Sequence, residues 1–217
     1  MNDLSLLIFQ LGVLLFSVVI HEVMHGFVAL QLGDPTAKDA GRLTLNPVKH
    51  IDPVGSLLLP ALLKLTNSPV IFGWARPVPY NPNLLSKDYR YGPLKVALAG
   101  PASNLLIALV FAVIIRSGAN VLGPVLVPLL GFIVFLNCVL AVFNLMPIPP
   151  LDGSKILTAV LPSRYALALE TLGLTGFFLV IMLLYFLGNI IFEWSFSLFV
   201  LFVGVVPAQE FIRFFGS

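Results

Sequence analysis

Ile20-His21-Glu22-Val23-Met24-His25-Gly26 places three ionisable side chains inside an apolar run that extends from Leu4 to Leu32. As a helix rising 1.5 Å per residue, a run of this length crosses a hydrocarbon core about 30 Å thick. Residues four apart share one helix face, so His21 and His25 can point at a single ion. Glu22 lies beside that face, where it reaches a water on such an ion without being a ligand itself. Ionisable groups at membrane depth are costly and mark function.

The composition agrees. Of 217 residues, 59% are hydrophobic and 10% charged, where a soluble domain carries about a quarter charged. Mean hydropathy is +1.01. Further spanning runs recur, and no alternating strands of about ten residues do, so the backbone in lipid must be paired within helices. The expected fold is an all-α multi-pass membrane protein, a single domain over residues 1–217. Its bundle has about five transmembrane helices, at residues 4–32, 92–116, 124–146, 165–187 and 190–215. The last two are separated only by Gly188-Asn189. Residues 41–80, between the first and second spans, read as a re-entrant or extended segment. Its apolar stretch is interrupted by Pro60, and residues 70–79 are punctuated by proline.

A net charge of +2 without a basic cluster is too small to suggest nucleic acid, and no nucleic-acid partner is expected. Cys138 is the only cysteine; it excludes an intramolecular disulfide and reads as a small buried hydrophobe. The first run has no basic n-region and no cleavage site, so it is expected to be a retained span. Lys38, Arg42, Lys49, Lys64, Arg76, Lys87 and Arg90 follow it, and Lys155, Arg164 and Arg213 come later. The positive-inside tendency then places the chain in the cell membrane with its N-terminus outside and its C-terminus cytoplasmic. His25 would lie roughly 10 Å beneath the cytoplasmic face.

Two histidines do not complete a catalytic zinc site, which generally takes three protein ligands. The strongest further source is Asn144-Leu145-Met146-Pro147-Ile148-Pro149-Pro150-Leu151-Asp152-Gly153. Its prolines break the helix after the third span and present Asp152 on non-helical backbone beside a permissive glycine. Asp152 is the expected third ligand, at a depth similar to His25. One Zn²⁺, two neutral imidazoles and the carboxylates of Asp152 and Glu22 sum to zero charge, far cheaper to bury than separate ions.

The His21-Glu22-x-x-His25 motif, paired with Asn144-x-x-Pro147-x-Pro149-x-Leu151-Asp152-Gly153, resembles the site-2 protease family of intramembrane zinc metalloproteases (peptidase family M50). Further matching blocks are Gly41-Arg42-Leu43-Thr44-Leu45-Asn46-Pro47 through His50-Ile51-Asp52-Pro53, Gly73-Trp74-Ala75-Arg76-Pro77-Val78-Pro79, and Ala99-Gly100-Pro101-x-x-Asn104. They are similar to a compact prokaryotic branch without PDZ or CBS domains. The resemblance implies cleavage of peptide bonds within or beside transmembrane segments of other membrane proteins. It carries His21, His25 and Asp152 as zinc ligands and Glu22 as general base.

Other residues keep two readings. Asn144 can donate to a developing oxyanion or cap carbonyls freed by the proline break. Asn104 reads chiefly as an interhelical hydrogen-bonding residue, His50 as a structural histidine, and Trp74 and Trp194 as interfacial anchors. The extended residues 70–79 could capture an unwound substrate by strand addition. A membrane metal-ion transporter is the main rival, but it has no need for Glu22 beside two ligands and would show internal repeats, which are absent. A catalytically silent membrane scaffold would explain the bundle but not the three chemical residue types at one depth. Nothing in the sequence speaks to oligomeric state.

Overall fold

The computed structural model describes residues 3–58, 62, 65, 75–161, 164, 169 and 174–216. Among them every regular element is helical. Helix α1 (Asp3–Gln31) is followed by the single turn α2 (Thr36–Asp39). The long α3 (Gly92–Asn144) bends back on itself, α4 (Gly153–Val160) is short, and α5 (Leu174–Val203) leads into α6 (Val205–Phe215). All-helical architecture is what the absence of water in a bilayer demands.

Among the described residues, four helical stretches are long and apolar enough to span: Leu4–Gln31, Gly92–Gly118, Val121–Asn144 and Leu184–Val203. The first three match the expected spans. The fourth overlaps the two expected at residues 165–187 and 190–215, and residues 165–168 and 170–173 of the first of these lie outside the described residues. Gly188-Asn189 does not interrupt the chain, because helix α5 runs straight through it, and the break comes instead at Gly204, with φ +90°. A lone glycine inside an apolar helix costs only about 1 kcal/mol, so it is not a stop signal by itself. Beyond Gly204, α6 turns back into the bundle, where Phe211 packs on Phe199 with ring centroids 5.0 Å apart.

Helix α3 is a hairpin of two arms joined at Gly123, whose φ of +74° is accessible to glycine. Its arms, with α5 and α6, enclose a core of Ala108, Ala112, Ile115, Val134, Cys138 and Phe199. Small residues matter here because lipid offers no hydrophobic drive between helices, and close backbone approach supplies dispersion instead. Cys138 is fully buried, as its sequence context suggests. At the far end of this core Arg116 donates to the carbonyls of Phe202 (Nε, 2.5 Å) and Leu201 (Nη2, 2.7 Å), satisfying the end of α5. On α1, Leu4, Leu7, Ile8, Leu11, Leu14 and Leu15 are exposed on the face that lipid would cover.

Helix α1 ends at Gln31, the chain turns at Gly33 (φ +113°), and Asp34 fixes the turn. The Asp34 carboxylate accepts from Thr36 N–H (2.9 Å), Thr36 Oγ1–H (2.5 Å) and, across the fold, Asn81 N–H (2.6 Å). It ties the start of the 33–91 segment to its end, setting the loop over the lower half of α1. Within that segment, Pro53–Leu58 forms one wide π-type turn. Residues 75–80 form no regular element among the described residues. Residues 70–74 of the expected extended stretch lie outside the described residues, as does Trp74.

Candidate metal centre and active site

His21 and His25 stack edge to face on α1, with ring centroids 4.7 Å apart and planes at 85°. Their orientation is set from behind. His25 Nδ1 is 2.7 Å from the carbonyl of Val96, which only accepts, so Nδ1 carries the hydrogen. His21 Nδ1 is 2.6 Å from Asn104 Oδ1. Asn104 Nδ2 donates to Asn137 Oδ1 (2.9 Å), and Asn137 Nδ2 donates to Ser17 Oγ (3.0 Å) and to the Ile133 carbonyl (2.9 Å), which only accepts. That chain fixes the Asn104 amide with its oxygen towards His21, so this ring is also the Nδ1–H tautomer. Both Nε2 lone pairs are therefore free and converge.

Asp152 meets them. Its Oδ2 is 3.0 Å from His21 Nε2 and 3.3 Å from His25 Nε2, and the two Nε2 atoms are 3.0 Å apart. Asp152 occupies the N-cap of α4 but makes no capping hydrogen bond; its side chain is withheld from the helix end. Its backbone is helical (φ −58°, ψ −35°), unlike the non-helical presentation expected from the prolines. The break lies earlier, in the turn of Pro147 to Leu151. That turn is held by Gly153, where a Cβ would meet the Met146 carbonyl at 2.5 Å. It is also held by Leu151, which packs with Val180 and Ile191 of α5. Gly176 brings α5 against the turn, a Cβ there falling 2.7 Å from the Pro149 carbonyl.

Three acceptor atoms at one point repel unless positive charge lies between them, and Asp152 Oδ2 is buried with no hydrogen-bond partner. The donor set tests what that charge is. Tetrahedral zinc with ligand bonds of 2.0–2.2 Å puts its ligand atoms about 3.3–3.6 Å from one another, close to the separations seen. Ring hydrogens tied to a carbonyl and an amide are the outer-shell arrangement that metal-ligating imidazoles use. The residues fit zinc. His21, His25 and Asp152 are the described residues that gather as a potential metal-holding group.

Gly100 of α3 makes room for the pair. A Cβ on it would lie 2.5 Å from His21 Cε1 and Nε2 and from His25 Nε2. The ligand-bearing faces open on a cavity of about 250 Å³ that also exposes Glu22, Asn144 and Lys155. Glu22 Oε2 accepts the backbone N–H of Val78 at 2.8 Å. Asn144 lines the cavity but donates through Nδ2 to Leu140 O (2.9 Å), so one of its two amide hydrogens is committed. His50 is held apart in the loop, its Nε2 2.9 Å from Thr44 O, in keeping with a structural role.

The sequence-profile comparison matches peptidase family M50 over residues 117–187. "Putative zinc metalloprotease YwhC" of Bacillus subtilis is 40% identical over 166 residues, covering 73% of this chain and 72% of that protein. This chain belongs to peptidase family M50. "Putative zinc metalloprotease Rip2" of Mycolicibacterium smegmatis is 34% identical over 172 residues, 78% of this chain and 64% of that protein. "Zinc metalloprotease MJ0392" of Methanocaldococcus jannaschii is 31% identical over 157 residues, 71% of this chain and 35% of that protein. No solved structure matches. The M50 assignment makes the chain a zinc metalloprotease of the site-2 protease family, and its apolar helices fit the membrane setting.

Several parts of the site were not legible as such in the sequence. Gly100 is marked only by its matching block, Asn104 by that block and an interhelical bonding role, while Asn137, Ser17 and the Val96 carbonyl carry no signal at all. Asn104 does bond between helices, as expected, and it also orients a ring of the metal-type cluster. Of residues 70–79, expected to capture substrate by strand addition, only 75–79 are described. Arg76 N–H is spent on His50 O (2.8 Å) and Val78 N–H on Glu22, while Pro77 and Pro79 have no N–H to give.

Proposed function

We propose that this M50 protein holds one zinc ion between His21, His25 and Asp152 and hydrolyses peptide bonds in or near transmembrane segments of membrane proteins. The observation that carries the reading is the convergence of three buried acceptor atoms beside a carboxylate in one cavity. When bound, zinc supplies Lewis-acid polarisation of the scissile carbonyl and makes water in the cavity far more acidic.

The chain's own residues do the rest. Glu22 takes the proton as water attacks the scissile carbonyl and returns it to the leaving nitrogen. The Val78 N–H holds Glu22 Oε2, leaving Oε1 for proton transfer. Asn144, with its second amide hydrogen, serves the developing oxyanion. The negative charge of Asp152 and Glu22 balances that of the metal, so the resting cluster is neutral at depth. The catalytic unit is one intramembrane domain.

For topology we adopt the distribution of lysine and arginine: N-terminus outside and the 33–91 segment cytoplasmic. His25 then lies six residues, about 9 Å, from the inner end of α1. The four spans of the described residues bring the chain to the outer side near Gly204, and α6 re-enters from there towards the cytoplasmic C-terminus that five spans would give.

Glu22→Gln tests the mechanism with purified protein and a single-span substrate. One zinc per chain should remain while cleavage falls by about 10²–10⁴-fold, the usual contribution of a positioned base. Absence of zinc from the wild-type protein, or cleavage by Glu22→Gln at the wild-type rate, refutes the reading. Metal flux that survives the substitution would favour a transporter.

A further inference from the structure

A second cavity, about 300 Å³, lies in the 33–91 segment away from the metal-type cluster. Arg42, Lys49 and Arg76 line it, and among the described residues no carboxylate does. Arg42 is only 7% exposed, and its Nε is buried without a hydrogen-bond partner. Its Nη2 is occupied, donating to Arg76 O at 2.7 Å and Pro77 O at 3.3 Å. Burial and the like charge of Arg76 lower the Arg42 pKa from its usual value, against the pull of Glu22. A buried guanidinium with a spare N–H, beside two further cations, is a site short of an anion. Arginine forks of this kind suit phosphate oxygens.

The surroundings select which phosphate. Leu45 is 56% exposed and Val48, itself part of the cavity wall, 71% exposed. Val54, Leu58, Leu62 and Leu65 continue the exposed apolar series. Apolar side chains bare beside a basic pocket match the level where acyl chains give way to head groups. A free anion would have no use for them.

We propose that the Arg42–Lys49–Arg76 pocket binds the phosphodiester head group of an anionic phospholipid, with Leu45 and Val48 seated in the acyl layer. The site is connected to the catalytic cavity. Arg42 grips the carbonyls of Arg76 and Pro77, and the next residue, Val78, donates to Glu22. Head-group binding therefore stiffens residues 76–78, on which the orientation of Glu22 depends.

The test uses the full chain in phosphatidylcholine nanodiscs carrying spin-labelled phosphatidylglycerol, reading the motionally restricted label. This readout does not depend on proteolysis. Wild-type protein should prefer phosphatidylglycerol to equally labelled phosphatidylcholine. Lys49→Gln with Arg76→Gln should weaken that preference about fivefold per removed charge, while Lys87→Gln with Arg90→Gln, which removes two charges elsewhere in the segment, should leave it. Lys49→Glu alone, at an exposed position, gives an independent check of the same direction, and retained zinc reports an intact fold. An unchanged preference in the pocket variants overturns the proposal, as does an equal loss in the control. Displacement of the label by millimolar inorganic phosphate overturns the lipid source, and displacement only by an acidic peptide would assign the pocket to a protein partner instead.

Discussion

Gly100→Ala isolates the fit between α3 and the histidine pair. On helix propensity alone the change favours the folded helix by about 0.8–1.0 kcal/mol. The site opposes it, because the added methyl would lie 2.5 Å from three heavy atoms of His21 and His25. Ordinary carbon contacts are about 3.5–4.0 Å, so the rings or the helix must shift by about 1 Å. Overpacking of this kind costs about 1–3 kcal/mol, enough to cancel the propensity gain. The functional cost is larger: a misplacement of 1 Å reduces catalysis by about 10²-fold. Zinc affinity measured by competition with a chromophoric chelator, and turnover of a single-span substrate, should both fall while helicity is retained. Wild-type affinity together with wild-type turnover would refute the account, since it would mean that the rings were never held against Gly100.

Asn104→Ala removes the acceptor that fixes the His21 tautomer and should weaken zinc binding about 10–100-fold; equilibrium dialysis reads this directly, and unchanged affinity would demote the Ser17–Asn137–Asn104 chain to packing. Asp34→Asn addresses the loop. Burial pushes the Asp34 carboxyl up, but the Thr36 hydroxyl and the Asn81 and Thr36 amides outweigh it and hold the pKa below the usual carboxylate value. Its stabilisation is thus complete above about pH 4 and is lost as pH falls through the lowered value. Thermal unfolding of the wild-type protein should show this acid loss, and the Asn variant should lack that component while losing about 1.5–3 kcal/mol at neutral pH, the worth of hydrogen bonds to a charged group.

Much of the fold followed from elementary requirements. Apolar runs of spanning length had to be helices, and Gly123-Pro124 fell between two of them. The last third did not follow so simply. Gly188-Asn189 and Gly204 look equally permissive in the chain, but only Gly204 adopts a positive φ, because α6 folds back there to pack Phe211 on Phe199 and Phe135. Which of two glycines bends is a packing outcome, invisible to hydropathy.

The candidate site divides in the same way. A helical period of 3.6 residues put His21 and His25 on one face, and the chemistry of a buried ion required a carboxylate from elsewhere. The proline-broken turn after the third span, at a depth similar to His25, was enough to name Asp152 as the expected third ligand. Only the tertiary structure brings it to 3.0 Å from His21 across 131 positions of chain. The same folding pins both Nδ1 hydrogens from α3 and spends the Arg76 and Val78 amides inside the fold. Residue type and period along one helix are local properties that a sequence carries; the direction of a lone pair depends on hydrogen bonds made by distant segments, which exist only once the helices have packed.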